Sequence, residues 1–198
     1  MPGIPMIVIM LFGASIALSL FGSHGHCSKP NASDKVSLLL FYGSFDKDQD
    51  GTLSIGEIVA FFEWCKSNIR YEAHRHYKSP LKTFRTKCGN CLDQALLMAH
   101  CLSFFYRFPG YIGCIVIEED HKREKHACCL LPVSRENKAQ MENCLGYKIN
   151  SFTVPNDRRC FIVIDPLYCD KFGKLETTNY NLIEIKTLRD FPFNDMST

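Results

Sequence analysis

An α+β fold is predicted by three features of the sequence. Apolar residues recur at helical spacing in the first half, short β-branched runs follow in the second, and charged or turn-forming stretches separate them. The opening "GIPMIVIMLFGASIALSLFG", residues 3 to 22, carries no charged side chain and is about long enough to cross a bilayer as a helix. Residues 1–22 are therefore expected to be a signal peptide or an N-terminal membrane anchor, either of which places the rest of the chain outside the cytoplasm. A polar linker, 23–33, follows, in which Asn31 opens "NAS", a glycosylation acceptor in a eukaryotic secretory route.

The next run, "DKVSLLLFYGSF" (34 to 45), has helical spacing, and "GEIVAFFEWCKSNIRYEA" (56 to 73) sets Ile58, Phe61, Phe62 and Cys65 on one side of a second helix. Pro80 breaks the chain. A third helix, from Leu92 to Phe105, aligns Leu92, Ala95, Leu96, Ala99 and Leu102. Strands are expected at "YIGCIVI" (111 to 117), "HACCLLPV" (126 to 133), "CFIVIDP" (160 to 166) and "NLIEIKTL" (181 to 188), with the charged "EEDHKREK" (118 to 125) as a hairpin turn. The third helix is expected to cover an antiparallel sheet built from these strands.

The chain of 198 residues is long enough for one main domain with extensions. Its 23 Lys and Arg against 21 Asp and Glu give a formal charge of +2, too balanced for a nucleic-acid partner. Eleven cysteines in an exported chain lead to an expectation of disulfides. The number is odd, and setting one aside as a catalytic thiol leaves an even remainder.

Between the first two helices, "DKDQDGTLSIGE" has the spacing of a twelve-residue calcium loop. Asp46, Asp48 and Asp50 take positions 1, 3 and 5, and Gly51 supplies the sharp turn at 6. Thr52 offers its carbonyl at 7, Ser54 bridges through water at 9, and Glu57 closes the set as a bidentate ligand at 12. A hard cation needs many oxygens, and this spacing converges alternate side chains on one point. Loop and flanking helices resemble the EF-hand family, and calcium is the cofactor that the resemblance implies. A single copy argues for a stabilising ion rather than a cooperative sensor.

"TKCGNCLDQALLMAH" (86 to 100) holds Cys88 and Cys91 ahead of the third helix. A structural zinc site would need a second closely spaced pair, and a thioredoxin-like centre would need an apolar strand before the pair; the sequence shows neither. A thiol nucleophile fits better. Asn90 can cap the helix with Asp93 completing the pattern, which makes Cys91 the first helical residue, where the helix dipole favours thiolate. His126 and Asp165 lie downstream at strand ends, 35 residues (126 minus 91) and then 39 (165 minus 126) further along. Taken singly, each has an ordinary alternative: Cys91 as half of a disulfide, His126 as a surface histidine with His121 as its nearest rival, and Asp165 as a turn residue before Pro166. His74 and His76 have no assigned role.

"GNCLDQALLMAHCL", "HACCLL" and "FIVIDPLY" resemble, in order, the nucleophile helix, the histidine strand and the Asp-Pro strand end of the transglutaminase-like superfamily. The resemblance implies a papain-like core and acyl transfer, with Cys91 attacking a carboxamide carbonyl, His126 shuttling the proton and Asp165 holding the imidazole. Two departures stand out: Cys128 replaces an expected aromatic residue, and "SRENKAQMENCLGYKINSFTVPNDRR" lengthens the interval between His126 and Asp165. "GNCxDQ" is closest to microbial cysteine peptidases of this superfamily that cut isopeptide bonds in cell-wall material.

The expected organisation is thus an EF-hand at 34–73 and a transglutaminase-like domain at 80–198. Hydrolysis of amide or isopeptide bonds in a protein or peptide substrate, such as a cell-wall peptide, is expected over protein-glutamine crosslinking, because no additional substrate-holding domain is seen. A non-catalytic calcium-binding module on the same scaffold is the rival, and Cys128 is the feature that favours it. The membrane is a partner only through the N-terminal segment, if it is uncleaved.

Overall fold

The computed structural model describes residues 32–119, 122–154, 159–177 and 179–191. The apolar segment 3–22, residues 23–31 of the expected linker with Asn31, and His121 lie outside the described residues, while the last two linker residues already belong to the first helix. Helices α1 (Ala32–Gly43) and α2 (Ile55–Asn68) flank the carboxylate loop. Ser54 caps α2: its hydroxyl accepts from the Glu57 amide while the Glu57 carboxylate accepts from the Ser54 amide. That reciprocal pair satisfies two donors that a helix start otherwise leaves orphaned. Ile58, Phe61, Phe62 and Cys65 are buried, the face expected from their spacing.

From α2 the chain passes into β1 (Arg70–Tyr71), which pairs in parallel with β2 (Cys88–Gly89). Between them lies α3 (Pro80–Thr86), where the sequence suggested only a break. The Ser79 hydroxyl accepts from the Lys82 amide, and Pro80 sits in the first turn, where a missing N–H is harmless. Lys87 ends α3 in the left-handed region and points its ammonium at the rings of Phe84 and Trp64, 4.0 and 4.2 Å from their centroids.

Helix α4 (Cys91–Tyr106) is the central element, buried along most of its length. Then come β3 (Tyr111–Glu119), β4 (Lys122–Val133), α5 (Arg135–Leu145), β5 (Ser151–Thr153), β6 (Cys160–Ile164), β7 (Cys169–Lys171), β8 (Lys174–Leu175) and β9 (Tyr180–Thr187), closed by a 3-10 turn at Leu188–Asp190. Five strands form one antiparallel sheet in the order β5-β6-β4-β3-β9, and α4 lies against β4. The sheet curls until its two edges meet at one end: the Phe152 and Tyr180 rings are 5.4 Å apart, and the Asn150 side-chain amide donates to the Tyr180 hydroxyl at 2.8 Å. One buried cluster runs from Leu38, Tyr42 and Phe61 through Leu96 and Leu102 to Leu130 and Ile162.

Two expectations are corrected. The charged "EEDHKREK" is not merely a turn, because β3 continues to Glu119 and β4 begins at Lys122, so His126 sits inside a strand rather than at its start. The cysteines from Cys65 onward are all free, so the disulfides expected from composition are not seen among the described residues. Cys65, Cys101, Cys128, Cys129, Cys160 and Cys169 are buried, filling the core as small apolar side chains. Among the described residues no helix is long and apolar enough to cross a membrane.

Candidate active site and carboxylate loop

The start of α4 is built by a second reciprocal cap. Asn90 Oδ1 accepts from the Asp93 amide at 3.0 Å, and Asp93 Oδ2 accepts from the Asn90 amide at 2.9 Å. Cys91 is the first helical residue between them. A Cβ at Gly89 would stand 2.6 Å from the Asp93 Cβ, so the approach of Asp93 to the preceding strand requires glycine there. With the Asn90 and Asp93 amides engaged, the amides of Cys91 and Leu92 are the donors that the first turn has left to offer.

The structure brings Cys91, His126 and Asp165 together. The Cys91 sulfur is hydrogen-bonded to the His126 imidazole and takes a further bond from the Ala127 amide. His126 Nε2 is bonded to Asp165 Oδ2, which leaves Nδ1 for the sulfur. Both partners are buried, His126 at 3% exposure and Asp165 at 2%. Asp165 follows β6, and its Oδ1 accepts from the Leu167 amide at 2.9 Å, so the Asp-Pro turn fixes the carboxylate before it meets the ring. Tyr168 lays its ring edge-on against His126 at 4.4 Å.

That contact bears on the departure at Cys128. Cys128 pairs with Gly113 across β3 and β4, and its sulfur lies over the Gly113 carbonyl at 3.7 Å. A Cβ at Gly113 would already touch Cys128 and Leu130, so the space is small and an aromatic ring would not fit. The ring beside the histidine comes instead from Tyr168, three residues beyond Asp165.

Burial by itself would lower the His126 pKa, but the hydrogen bonds and charges of Asp165 and Cys91 outweigh it and push His126 up to about 9. Burial would raise the Cys91 thiol. The bond and charge of His126, with the Ala127 amide, overcome both that and the repulsion from Asp165, and hold the thiol below its ordinary value. The arrangement therefore favours a thiolate–imidazolium pair near neutral pH.

Cys88 faces a different group. The Lys78 ammonium lies 3.3 Å from its sulfur and 2.7 Å from Glu72 Oε2, and the Cys88 thiol together with Lys78 holds Glu72 down at about 2. The groove between β5 and β9, lined by Phe152, Val154, Tyr180 and Leu182, contains none of the three residues around the thiol.

In the carboxylate loop, oxygens of Asp46, Asp48 and Asp50 lie within 4.8 Å of one another. Gly51 has φ +82°, the left-handed turn expected at position 6. The Asp46 carboxylate accepts from the Asp50 and Gly51 amides, and Asp50 Oδ1 from the Thr52 amide and hydroxyl. The Asp50 amide draws the Asp48 pKa down, yet desolvation and the charges of Asp50 and Glu57, with the bond to Asp46, carry it above its ordinary value. Crowding of that kind suits a cation. Glu57 stands apart from the three: Oε1 accepts from the Lys47 amide at 2.6 Å, and Oε2 from the Ser54 amide and hydroxyl, each at 2.8 Å. The donor set fits calcium, with Glu57 joining only by exchanging those bonds. Tyr106 donates to the Leu53 carbonyl, tying the loop to the C-terminal end of α4. At 1.5 Å per residue, that end is about 22 Å from Cys91, too far for a cation there to touch the reacting atoms.

No family model matches the chain, and no curated protein matches it. Among solved structures it is similar to Legionella pneumophila LapG in EGTA-treated form, with 10% identity and a TM-score of 0.48 over 78% of this chain and 74% of that one. It is also similar to a Cytophaga hutchinsonii protein proposed to be a cysteine protease, with 20% identity and a TM-score of 0.39 over 84% of this chain and 55% of the other.

The sequence pattern named Cys91, His126 and Asp165, and Asp93 as the capping partner of Asn90, but passed over Tyr168 and Ala127. "DPLY" carried a signal for Tyr168, since an Asp-Pro turn brings the residue three beyond Asp165 back over the strand end.

Proposed function

We propose that this chain is a cysteine hydrolase of the transglutaminase-like kind that cleaves amide or isopeptide bonds in a peptide substrate. The observation that carries this reading is the hydrogen-bonded Cys91–His126 pair at a helix start, backed by buried Asp165. The Cys91 thiolate adds to the substrate carbonyl, and the amides of Cys91 and Leu92 are placed at the helix start to stabilise the oxyanion. His126 then gives its Nδ1 proton to the departing amine, leaving a thioester on Cys91. Water attacks the thioester, His126 takes its proton, and the acid leaves as the thiolate reforms. Asp165 keeps the ring oriented throughout and stabilises its charged form whenever both nitrogens carry protons.

Calcium belongs to this reading as a stabilising ion. Asp46, Asp48, Asp50, the Thr52 carbonyl, Ser54 through water, and Glu57 would hold it, and its contribution would be to fix α1 against α2. Export through the 3–22 segment is part of the same proposal.

Mapping iodoacetamide labelling on the folded protein tests the reading. Cys91 should react first among the eleven cysteines, with an inflection below about 8.5, the value of a free thiol. His126→Ala should return the profile to that of a free thiol. Identical profiles in wild type and His126→Ala would sink the proposal and favour the non-catalytic module.

A further inference from the structure

We infer that His74 is a positioning residue for Cys91, acting through Asp93 and Asn90; the inference rests on the hydrolase reading above. Asp93 is fully buried, at 0% exposure, yet carries a carboxylate. A buried carboxylate persists only where donors surround it. Two come from the backbone: the Asn90 amide on Oδ2 at 2.9 Å, and the Lys78 amide on Oδ1 at 2.5 Å. The third neighbour is His74, whose buried Nε2 lies 2.7 Å from Oδ2, within reach although not aligned as a hydrogen bond.

Asn90 decides which nitrogen of His74 carries the proton. Its Oδ1 is occupied by the Asp93 amide, so its Nδ2, which can only donate, is the group that faces His74, 3.3 Å from the carbonyl and 3.5 Å from Nδ1. Nδ1 therefore presents its lone pair, and the proton sits on Nε2 toward the Asp93 carboxylate. The segment from Glu72 to Lys78 is in turn fixed along the strand before Cys91. The Glu72 amide donates to the Gly89 carbonyl at 3.0 Å, and the Lys78 ammonium bonds the Cys88 carbonyl at 3.1 Å.

Cys91 is thus suspended between two residues, Asn90 and Asp93, and His74 meets both. A shift of the first turn moves the sulfur relative to the imidazole without touching either directly. Misplacement by about an ångström costs on the order of a hundredfold in a positioned reaction.

The test follows the rate of Cys91 alkylation by iodoacetamide against pH in the full chain. His74→Ala should slow it on the order of ten- to a hundredfold at neutral pH and move the thiolate inflection upward. His74→Gln, which keeps an N–H for Asp93, should recover most of the rate. Asn90→Ser keeps the cap oxygen but removes the donor to His74, so it should shift the profile in the same direction, and it decides the matter if His74→Ala does not fold. Wild-type profiles for His74→Ala and Asn90→Ser beside a displaced one for His126→Ala would overturn the inference alone. Wild-type profiles in all three, His126→Ala included, would overturn the hydrolase reading beneath it.

Discussion

Replacing Asp165 with Asn should lower the pKa of His126 and, with it, the pH range over which Cys91 is paired with an imidazolium. His126 stands at about 9 against an ordinary 6.5. That difference corresponds to a few kcal/mol in favour of the charged ring, at about 1.36 kcal/mol per pKa unit. Asp165 and Cys91 share it. If the buried carboxylate supplies about half, its loss lowers the His126 pKa by about one unit. Asparagine keeps an oxygen for the Leu167 amide, so the turn persists, but its amide would donate to Nε2 and drive the proton onto the wrong nitrogen. Two assays read this. Cys91 alkylation should show its upper inflection, the loss of the His126 proton, about one unit lower in Asp165→Asn than in wild type. Thermal melting should show a matching pattern: a raised His126 pKa contributes stability that is complete below 6.5 and is lost as pH rises through about 9. The gap between the two melting temperatures should therefore be widest below 6.5 and close above 9. An upper inflection that does not move would show that Asp165 does not support His126.

On the proposed calcium assignment, Glu57→Gln should weaken binding on the order of tenfold or more, because a bidentate carboxylate would become a single neutral oxygen donor; equal affinities by calorimetric titration would count against that assignment. The same change loosens the α2 cap and should lower the urea midpoint measurably without calcium. Glu142, held at about 2 by Lys138, the Ile149 amide and Lys148, contributes stability that is present above its ordinary 4.5 and lost as pH falls through about 2. Glu142→Gln should thus be less stable than wild type at pH 7 and indistinguishable from it near pH 2, and a difference that persists in acid would count against this pairing. Gly89→Ala should destabilise the fold by about 1–3 kcal/mol and slow Cys91 alkylation, since the added methyl meets Asp93 at 2.6 Å; a variant with normal stability and labelling would show that the first turn of α4 yields freely.

What could be read from the sequence follows how local each signal was. The apolar spacing of α4 and the β-branched runs of β3, β4, β6 and β9 depend on neighbours in the chain, and these elements lie where they were expected. Ser79-Pro80 was read as a stop, although serine followed by proline is also how a helix begins; the polar α3 gave no apolar stripe to decide between them. Helix α5 buries little beyond Glu142, so its stretch looked like an insertion. Strands β7 and β8 are too short to show alternation. At the site, Cys91, His126 and Asp165 were legible because a cap, a strand and a turn each mark them. His74 was not, because its meaning lies in a carboxylate nineteen positions away (93 minus 74) that only the folded chain brings to it. The cysteine count misled because composition cannot tell a bridging thiol from one that merely fills space.

Strands β1 and β2 run in the same direction, with Arg70 beside Cys88 and Tyr71 beside Gly89. The residues from 72 to 87 therefore form a closed loop, and gathering its ends costs about 2.5 kcal/mol of chain entropy for a span of roughly sixteen residues. Four residues of ladder return little of that on their own, so the loop can shut only after α2 and α4 are already docked. The turn that presents Cys91 should consequently be late to order during folding and early to open under mild denaturant, while the body of α4 stays protected. Amide exchange at Gly89 and Asn90 that is as slow as at Leu96 and Leu97 would contradict this. A thiol hung on such a loop meets its imidazole only in chains whose helix-loop-helix has already folded, so a half-folded molecule would carry Cys91 without His126 beside it.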